Sequence, residues 1–374
     1  MNSKPLIEVI QVFFKLGLIA FGGPAAHVAM MDKELVQKRK WLSREHFLDL
    51  MGATNLIPGP NSTEMTMHCG YERAGVLGLF AAGISFILPA VSITLVFAYL
   101  YVEYGQLPQV EPFIMGIKPA VLAIIAGAVL KLGKKAWKNW QLGILGLGVL
   151  IASLLGVNEI LALLCAGVVG ALFFYFQERH GQERAMWIFP FISLNAASLN
   201  LENWKVFLSF LKVGAILYGS GYVLFAYLDA ELVSTGLLTR GELIDAIAVG
   251  QFTPGPVLST ATFIGYQLGG LGGAISATVG IFLPSFLFVW LLNPLVSKMR
   301  QSRLLSHFLD SVNMSAVAIM LAVLLVMGTE SVVNWQTMLI AVLSFAYTFA
   351  YKKSNAIITV LGGAVLGFLL SLIQ

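Results

Sequence analysis

Two Pro-Gly-Pro tripeptides, Pro58-Gly59-Pro60 and Pro254-Gly255-Pro256, interrupt long apolar stretches of this chain and lie 196 positions apart, about half its length. Proline removes a backbone donor and clashes with the preceding helical turn, and glycine admits the backbone angles that end a helix. In hydrocarbon such a break is tolerated only where the freed backbone groups are buried in protein or line a wet cavity. Interruptions at corresponding positions of two halves point to a transporter's binding site. A hydrocarbon setting follows from composition: 58% of the 374 residues are hydrophobic and 11% charged, against roughly 25% charged in soluble domains. Uncharged runs such as 142–157 and 357–373 approach the ~20 residues that span a bilayer.

These features predict an all-α polytopic membrane protein without a sizeable soluble domain. The first residues carry no cleavable-leader pattern, so no removable signal peptide is expected. Cys69 and Cys165 lie far apart in apolar segments, which suggests neither a disulfide framework nor a metal motif. The formal charge of +4 is too small to argue for nucleic acid. No phosphate-binding Gly-x-x-x-x-Gly-Lys-Ser/Thr loop occurs, which argues against ATP drive within the chain, and no His-Glu-x-x-His or paired intramembrane acid motif supports an enzyme. No cofactor is expected.

The halves are homologous. Phe14-Lys15-Leu16-Gly17 answers to Leu211-Lys212-Val213-Gly214 at an offset of 197, Ser43-Arg44 to Thr239-Arg240 at 196, and Gly70-Tyr71 and Leu88-Pro89 to Gly265-Tyr266 and Leu283-Pro284 at 195. The expected organisation is an N-terminal repeat over 1–176, a polar connector over 177–205 and a C-terminal repeat over 206–374. Matching loops carry opposite charge bias. Lys33, Lys38, Arg39, Lys40 and Arg44 crowd the first, whereas its mate has Arg240 among Asp229, Glu231, Glu242 and Asp245. Glu103 and Glu111 flank a loop whose mate has Lys298, Arg300 and Arg303. Because basic residues collect on the cytoplasmic side, the halves are expected to insert with inverted topology. Six apolar segments per half, the first near 7–31, give about ten transmembrane helices if the two segments holding Pro-Gly-Pro are broken, re-entrant hairpins. Pro89 and Pro284 are further candidate breaks.

The ordered motifs reach beyond generic transport. Lys15 to Pro24, the run Asn55 to Ser62, Gly70 to Gly75, Gly219 to Tyr222, Thr253 to Val257 and Ala261 to Tyr266 together resemble the chromate ion transporter superfamily in its long, two-domain form. The resemblance covers nearly the whole chain. It implies a carrier in the bacterial inner membrane that expels chromate, with sulfate as an alternative substrate, and it implies antiparallel halves. The second half departs from the first: Ser220-Gly221 stands for Gly23-Pro24, Gln251 for Asn55 and Val257 for Asn61.

The chemistry fits a tetrahedral dianion, whose hydration must be replaced by backbone amides, hydroxyls and a few cations. A helix N-terminus offers free N–H groups and about half a positive charge. A helix starting near Pro60 would aim the Asn61, Ser62 and Thr63 amides inward. Val257, Leu258, Ser259 and Thr260 would do so from the other leaflet. The candidate substrate-binding residues are therefore Asn55, Pro58, Gly59, Pro60, Asn61, Ser62 and Thr63, with Gln251, Pro254, Gly255, Pro256, Ser259 and Thr260. Gly22 and Gly23, with Gly219 and Ser220, add close-approach positions, though small residues serve plain helix packing as well. Lys15 and Lys212 are intramembrane cations that could neutralise part of the dianion, or snorkel to the interface. Arg73 stands at a membrane edge, as an anion guide or a topology determinant. Glu64 and His68, one helical turn apart, are candidates for proton coupling.

The expected function is a secondary carrier exporting chromate, driven by membrane potential and open to proton coupling. Its partners would be an inorganic oxyanion, the lipid bilayer and, as an alternative to a monomer, a second copy of the chain. A small-metabolite exporter of the lysine-exporter type, which also carries Pro-Gly-Pro in a broken helix, is the alternative reading.

Overall fold

The computed structural model describes residues 4–20, 24–54, 57–105, 107, 110–157, 159–178, 202–217, 223–292, 303–351 and 354–373, and every regular element among them is helical. The first repeat comprises α1 (Lys4–Ile19), α2 (Pro24–Met31) running into a π-helical turn (Asp32–Lys38), α3 (Arg44–Thr54), α4 (Asn61–Tyr104), α5 (Glu111–Ala136), α6 (Trp140–Leu154) and α7 (Glu159–Glu178). The second follows the same order: α8 (Glu202–Ile216), α9 (Leu224–Leu228) with its own π-helical turn (Asp229–Val233), α10 (Arg240–Phe252), a 3-10 turn (Val257–Ser259), α11 (Thr260–Leu292), α12 (Arg303–Ser331), α13 (Trp335–Ala350) and α14 (Ala356–Ser371).

The repetition is written in local signals. Asn139 caps α6 by accepting from the Leu142 amide, and Asn334 caps α13 by accepting from the Thr337 amide, each satisfying a first-turn donor. Both long helices beginning after a Pro-Gly-Pro bend at matched positions, α4 at Ala74-Gly75 and α11 at Gly269-Gly270. Pro89 and Pro284, the alternative break points, lie inside continuous helix. Among the described residues, four helices are long and apolar enough to cross a membrane: Asn61–Tyr104, Glu111–Ala136, Val257–Leu291 and Ser306–Ser331. Their outer faces carry exposed Val96, Leu100, Leu271, Ile275 and Leu325, as lipid contact requires. Between helices, where lipid tails remove the hydrophobic drive, close contact of small residues holds the structure. Gly17 abuts the Phe86 backbone and its mate Gly214 abuts that of Ile281.

The halves are interlocked rather than juxtaposed. α14 packs on α5 while α7 packs on α12, and α13 packs on α5 while α6 packs on α12. Each half thus supplies its last two helices to the fifth helix of the other, the reciprocal pattern of a two-fold interface. At the centre α4 crosses α11, with Phe80 stacked on Phe286 at 5.5 Å and Tyr101 against Phe263 at 5.2 Å. Lys138, just past α5, pairs with Asp310 near the start of α12 at 2.6 Å.

One expectation changes. The apolar segment near 7–31 reads as a single span, but α1 ends at Ile19 and α2 begins at Pro24. Glu8 pairs with Arg73 at 2.7 Å, Arg73 lies 5.1 Å over the Trp41 ring, and His46 meets Glu72 at 3.3 Å. Residues 8, 41, 46, 72 and 73 therefore gather at one end of the molecule. α1 with α2 forms a hairpin that returns to the end it left, as α3 does with the first part of α4. The break coincides with Pro24, which opens α2 at the first helical position, where its missing N–H leaves no intrahelical bond unmade.

Asp245 of α10 joins the halves at a second point. It is 5% exposed, accepts from Tyr101 Oη at 2.7 Å and lies 3.5 Å from Lys118 Nζ. Removing one partner of such a pair strands a buried charge, which costs more than removing both. Lys118→Met is expected to lower Tm in detergent by more than Lys118→Met combined with Asp245→Asn, read by thermal unfolding of the purified variants.

Candidate functional site

Both breaks are buried, all three residues of each tripeptide included. Gly59 has φ +142° and Gly255 φ +88°, angles that side-chain-bearing residues rarely adopt. A Cβ on Gly59 would overlap the Glu64 carboxyl and the Ser285 hydroxyl, and one on Gly255 would lie 2.8 Å from the Ala90 Cβ. Ser285 and Ala90 occupy matching places in the repeat, on α11 and α4. Each break therefore presses on the long helix of the opposite half.

The two breaks are bonded crosswise. The Gly59 N–H donates to the Leu217 carbonyl at 2.5 Å, and the Gly255 N–H donates to the Ala20 carbonyl at 2.9 Å. Ala20 and Leu217 immediately follow α1 and α8, where helix carbonyls lack intrahelical donors. The glycine amides freed by one half's break satisfy the carbonyls freed by the other half's first hairpin.

His27 ties the first half into this arrangement. Its Nε2 lies 3.0 Å from the Ala20 carbonyl and its Nδ1 3.2 Å from Ser62 Oγ. A carbonyl only accepts, so Nε2 carries the proton and Nδ1 accepts from the Ser62 hydroxyl. The Ala20 carbonyl is thereby a junction between Gly255 of one half and, through His27, the first turn of α4 in the other. The ring stands edge-on to Phe86 at 5.6 Å. In the second half Leu224 occupies the place of His27, so the relay has no duplicate.

α4 starts at Asn61 with Pro60 as its N-cap. The Thr63 amide is already bonded to the Pro60 carbonyl at 2.8 Å, so the donors ahead of the first intrahelical bond are those of Asn61 and Ser62. In the second half the 3-10 turn directs the Ser259 and Thr260 amides inward to Pro256 and Val257, leaving Val257 and Leu258 in the corresponding place. Among the described residues, the Thr63 and Ser285 hydroxyls, both Glu64 carboxyl oxygens and the Gln251 side-chain nitrogen are buried without a hydrogen-bond partner. Thr94 Oγ1 donates to Ser259 Oγ at 3.2 Å, which brings the second break against α4. Glu64 is oriented to Gly59, and no hydrogen bond joins it to His68.

The three candidate cations lie apart from this centre. Lys15 is on the exposed side of α1 and lines a separate cavity, Lys212 donates to Glu231 at 2.6 Å, and Arg73 is held by Glu8. Gly22, Gly23, Asn55, Gly219 and Ser220 fall outside the described residues. His27 and Ser285 were not singled out as binding residues from the sequence. The signal for Ser285 was present, since it departs from Ala90 inside the otherwise matched Leu-Pro motif.

A family model for chromate transporters matches residues 7–171 and again 204–368, one match per repeat. Three curated relatives are similar over almost their whole length. A chromate transport protein of Cupriavidus metallidurans is 30% identical over 97% of this chain and 92% of its own. A probable chromate transport protein of Synechococcus elongatus is 28% identical over 93% and 91%, and a chromate transport protein of Pseudomonas aeruginosa 28% over 97% and 92%. No solved structure matches the chain.

Substituting alanine at Gly59 or Gly255 should disrupt the centre through both backbone angle and overlap. Each variant is expected to lose at least a few degrees of Tm, whereas alanine at the exposed Gly148, which has open space around it, should leave Tm unchanged. The doubled family match, the duplicated breaks and the relatives that agree across both halves make this multi-pass membrane protein a member of the chromate transporter family.

Proposed function

We propose that this protein carries chromate outward across the cytoplasmic membrane as a secondary transporter. The observation that carries the reading is the pair of buried Pro-Gly-Pro breaks, each beside a helix start, meeting where α4 crosses α11 with the Thr63 and Ser285 hydroxyls unpartnered. Amides, hydroxyls and positive helix ends are what a tetrahedral dianion needs in place of water. The relatives' names give the anion. Sulfate, of the same charge and shape, is the second substrate to be tested.

Inverted insertion of the halves is part of this reading. Phe80 is matched in the repeat to Ile275, yet it stacks on Phe286, 11 positions further on and roughly 16 Å along a helix. A two-fold axis parallel to the helices would hold matched positions level. An axis across them sets early positions of one against late positions of the other, as in the Lys138–Asp310 pair. The basic residues Lys38, Arg39, Lys40, Arg44 and Arg73 assign their end to the cytoplasm.

Direction follows from charge. Moving two negative charges outward from a negative-inside cell gains ~4–5 kcal/mol at 100 mV, from ~2.3 per charge, and inward movement costs the same unless protons accompany the anion. Glu64 is the candidate coupling group: ionised it repels a dianion beside Gly59, and protonated it does not. His68 is the second candidate, one turn further along α4.

The test is radiolabelled chromate flux in proteoliposomes with membrane potential and pH gradient set independently. Flux driven by potential is expected. Losing one donor to a charged ligand costs about 1.5–3 kcal/mol, so Thr63→Val combined with Ser285→Ala, which removes the two unpartnered hydroxyls, should cut flux at low chromate by tenfold or more. Flux at the original rate in that variant would overturn the site. Glu64→Gln is expected to flatten the pH dependence while retaining potential-driven flux; an unaltered pH profile would remove Glu64 from the mechanism.

A further inference from the structure

We propose that the cavity between α1 and the π-helical turn Asp32–Lys38 is a second anion site, separate from the central breaks, which takes a tetrahedral oxyanion group of the phosphate type. The cavity encloses about 330 Å³, and its polar lining consists of Gln11, Lys15, Lys33, Glu34, Lys38 and Arg39. Four cations face one carboxylate. That carboxylate is already occupied, since Glu34 accepts from Lys38 at 3.1 Å and from Arg39 at 3.0 Å. Lys15 and Lys33 make no ion pair among the described residues.

The second repeat shows what the same scaffold does without a site. Lys212 matches Lys15 and Glu231 matches Glu34, and there the two pair directly at 2.6 Å. The positions matching Lys33, Lys38 and Arg39 are Ala230, Thr235 and Gly236. One cation meets one anion and the place is neutral. In the first repeat, Lys38 and Arg39 draw the acid away and leave surplus positive charge around a space large enough for a phosphate.

Two sources share this chemistry. Ile19 of α1 lines the cavity and is 47% exposed, so acyl chains could run along the helix while a headgroup phosphate enters. Basic pockets between helices at the cytoplasmic side bind anionic lipid headgroups in this way. A free inorganic oxyanion is the other source.

Native mass spectrometry of the purified full-length chain would follow binding of phosphatidylglycerol and, separately, phosphatidylcholine, and equilibrium dialysis would count bound labelled sulfate. Phosphatidylglycerol is expected to bind several-fold more than phosphatidylcholine. Lys15→Gln with Lys33→Gln should abolish the preference, Glu34→Gln should increase it, and Lys212→Gln should leave it unchanged. Equal lipid binding with a sulfate site lost in the Lys15/Lys33 variant would assign the cavity to the free anion. Equal binding of both lipids, together with sulfate binding unaffected by any of these substitutions, would overturn the proposal. Binding is read without transport, so the outcome does not depend on whether chromate is the carried ion, and failure of chromate flux would leave it standing.

Discussion

Two crosswise hydrogen bonds, Gly59 N–H to the Leu217 carbonyl and Gly255 N–H to the Ala20 carbonyl, are the constraint on which the centre of this protein depends. In a bilayer each unpaired backbone group costs several kcal/mol. A chain that stops a helix at mid-depth creates such groups at once, as C-terminal carbonyls from one segment and amides from another. Here the two halves cancel one another's deficits. Neither repeat could hold its own break alone in this form, because the carbonyl that satisfies it comes from the other. The interleaving of α14 on α5 and of α7 on α12 follows the same logic at the scale of whole helices.

The departures from two-fold symmetry gather the titratable and unpartnered buried groups at the first break. His27 against Leu224, Glu64 against Thr260 and Ser285 against Ala90 place the ring, the carboxyl and an unsatisfied hydroxyl around the first break, whereas the second is lined by residues that bond among themselves, such as Thr260 to the Val257 carbonyl. A perfect repeat would present equivalent surroundings to an ion from both sides. This one gives the first half the titratable groups and the second half a closer, hydroxyl-based packing against Thr94. Both tripeptides are buried, so under the proposed function an ion would reach them only if helices part, which suits a carrier better than a continuously open pore.

Much of this was legible in the sequence, for identifiable reasons. Proline and glycine act through the backbone and need no partner to be read, so the two breaks and the duplicated order of helices follow from residue type and spacing, whereas the further breaks expected at Pro89 and Pro284 fall instead at Gly75 and Gly270. Asparagine caps at 139 and 334 are likewise local. The segment 7–31 reads as a span because hydropathy registers apolar content and not direction, and it takes the contacts of Arg73 with Glu8 and Trp41 to show that it turns back. The fates of Lys15 and Lys212 were hidden for a related reason. They are the same residue in the same repeat position, and what separates them is that Lys38 and Arg39 hold the neighbouring acid in the first repeat, where the second has Thr235 and Gly236; those pairings are between side chains and are seen only once the chain is folded. Carbonyls such as those of Ala20 and Leu217 carry no side-chain signature at all.

The most direct test is where chromate binds. Anomalous scattering from chromium, measured on crystals of the protein grown with chromate, locates the ion without assumptions about transport. The account predicts a peak beside Gly59, within hydrogen-bond reach of the α4 first turn and of the turn at Val257–Ser259. A peak confined to the lateral basic cavity or to the lipid-facing surface, with the crosswise glycine bonds undisturbed and no ion between them, would contradict it.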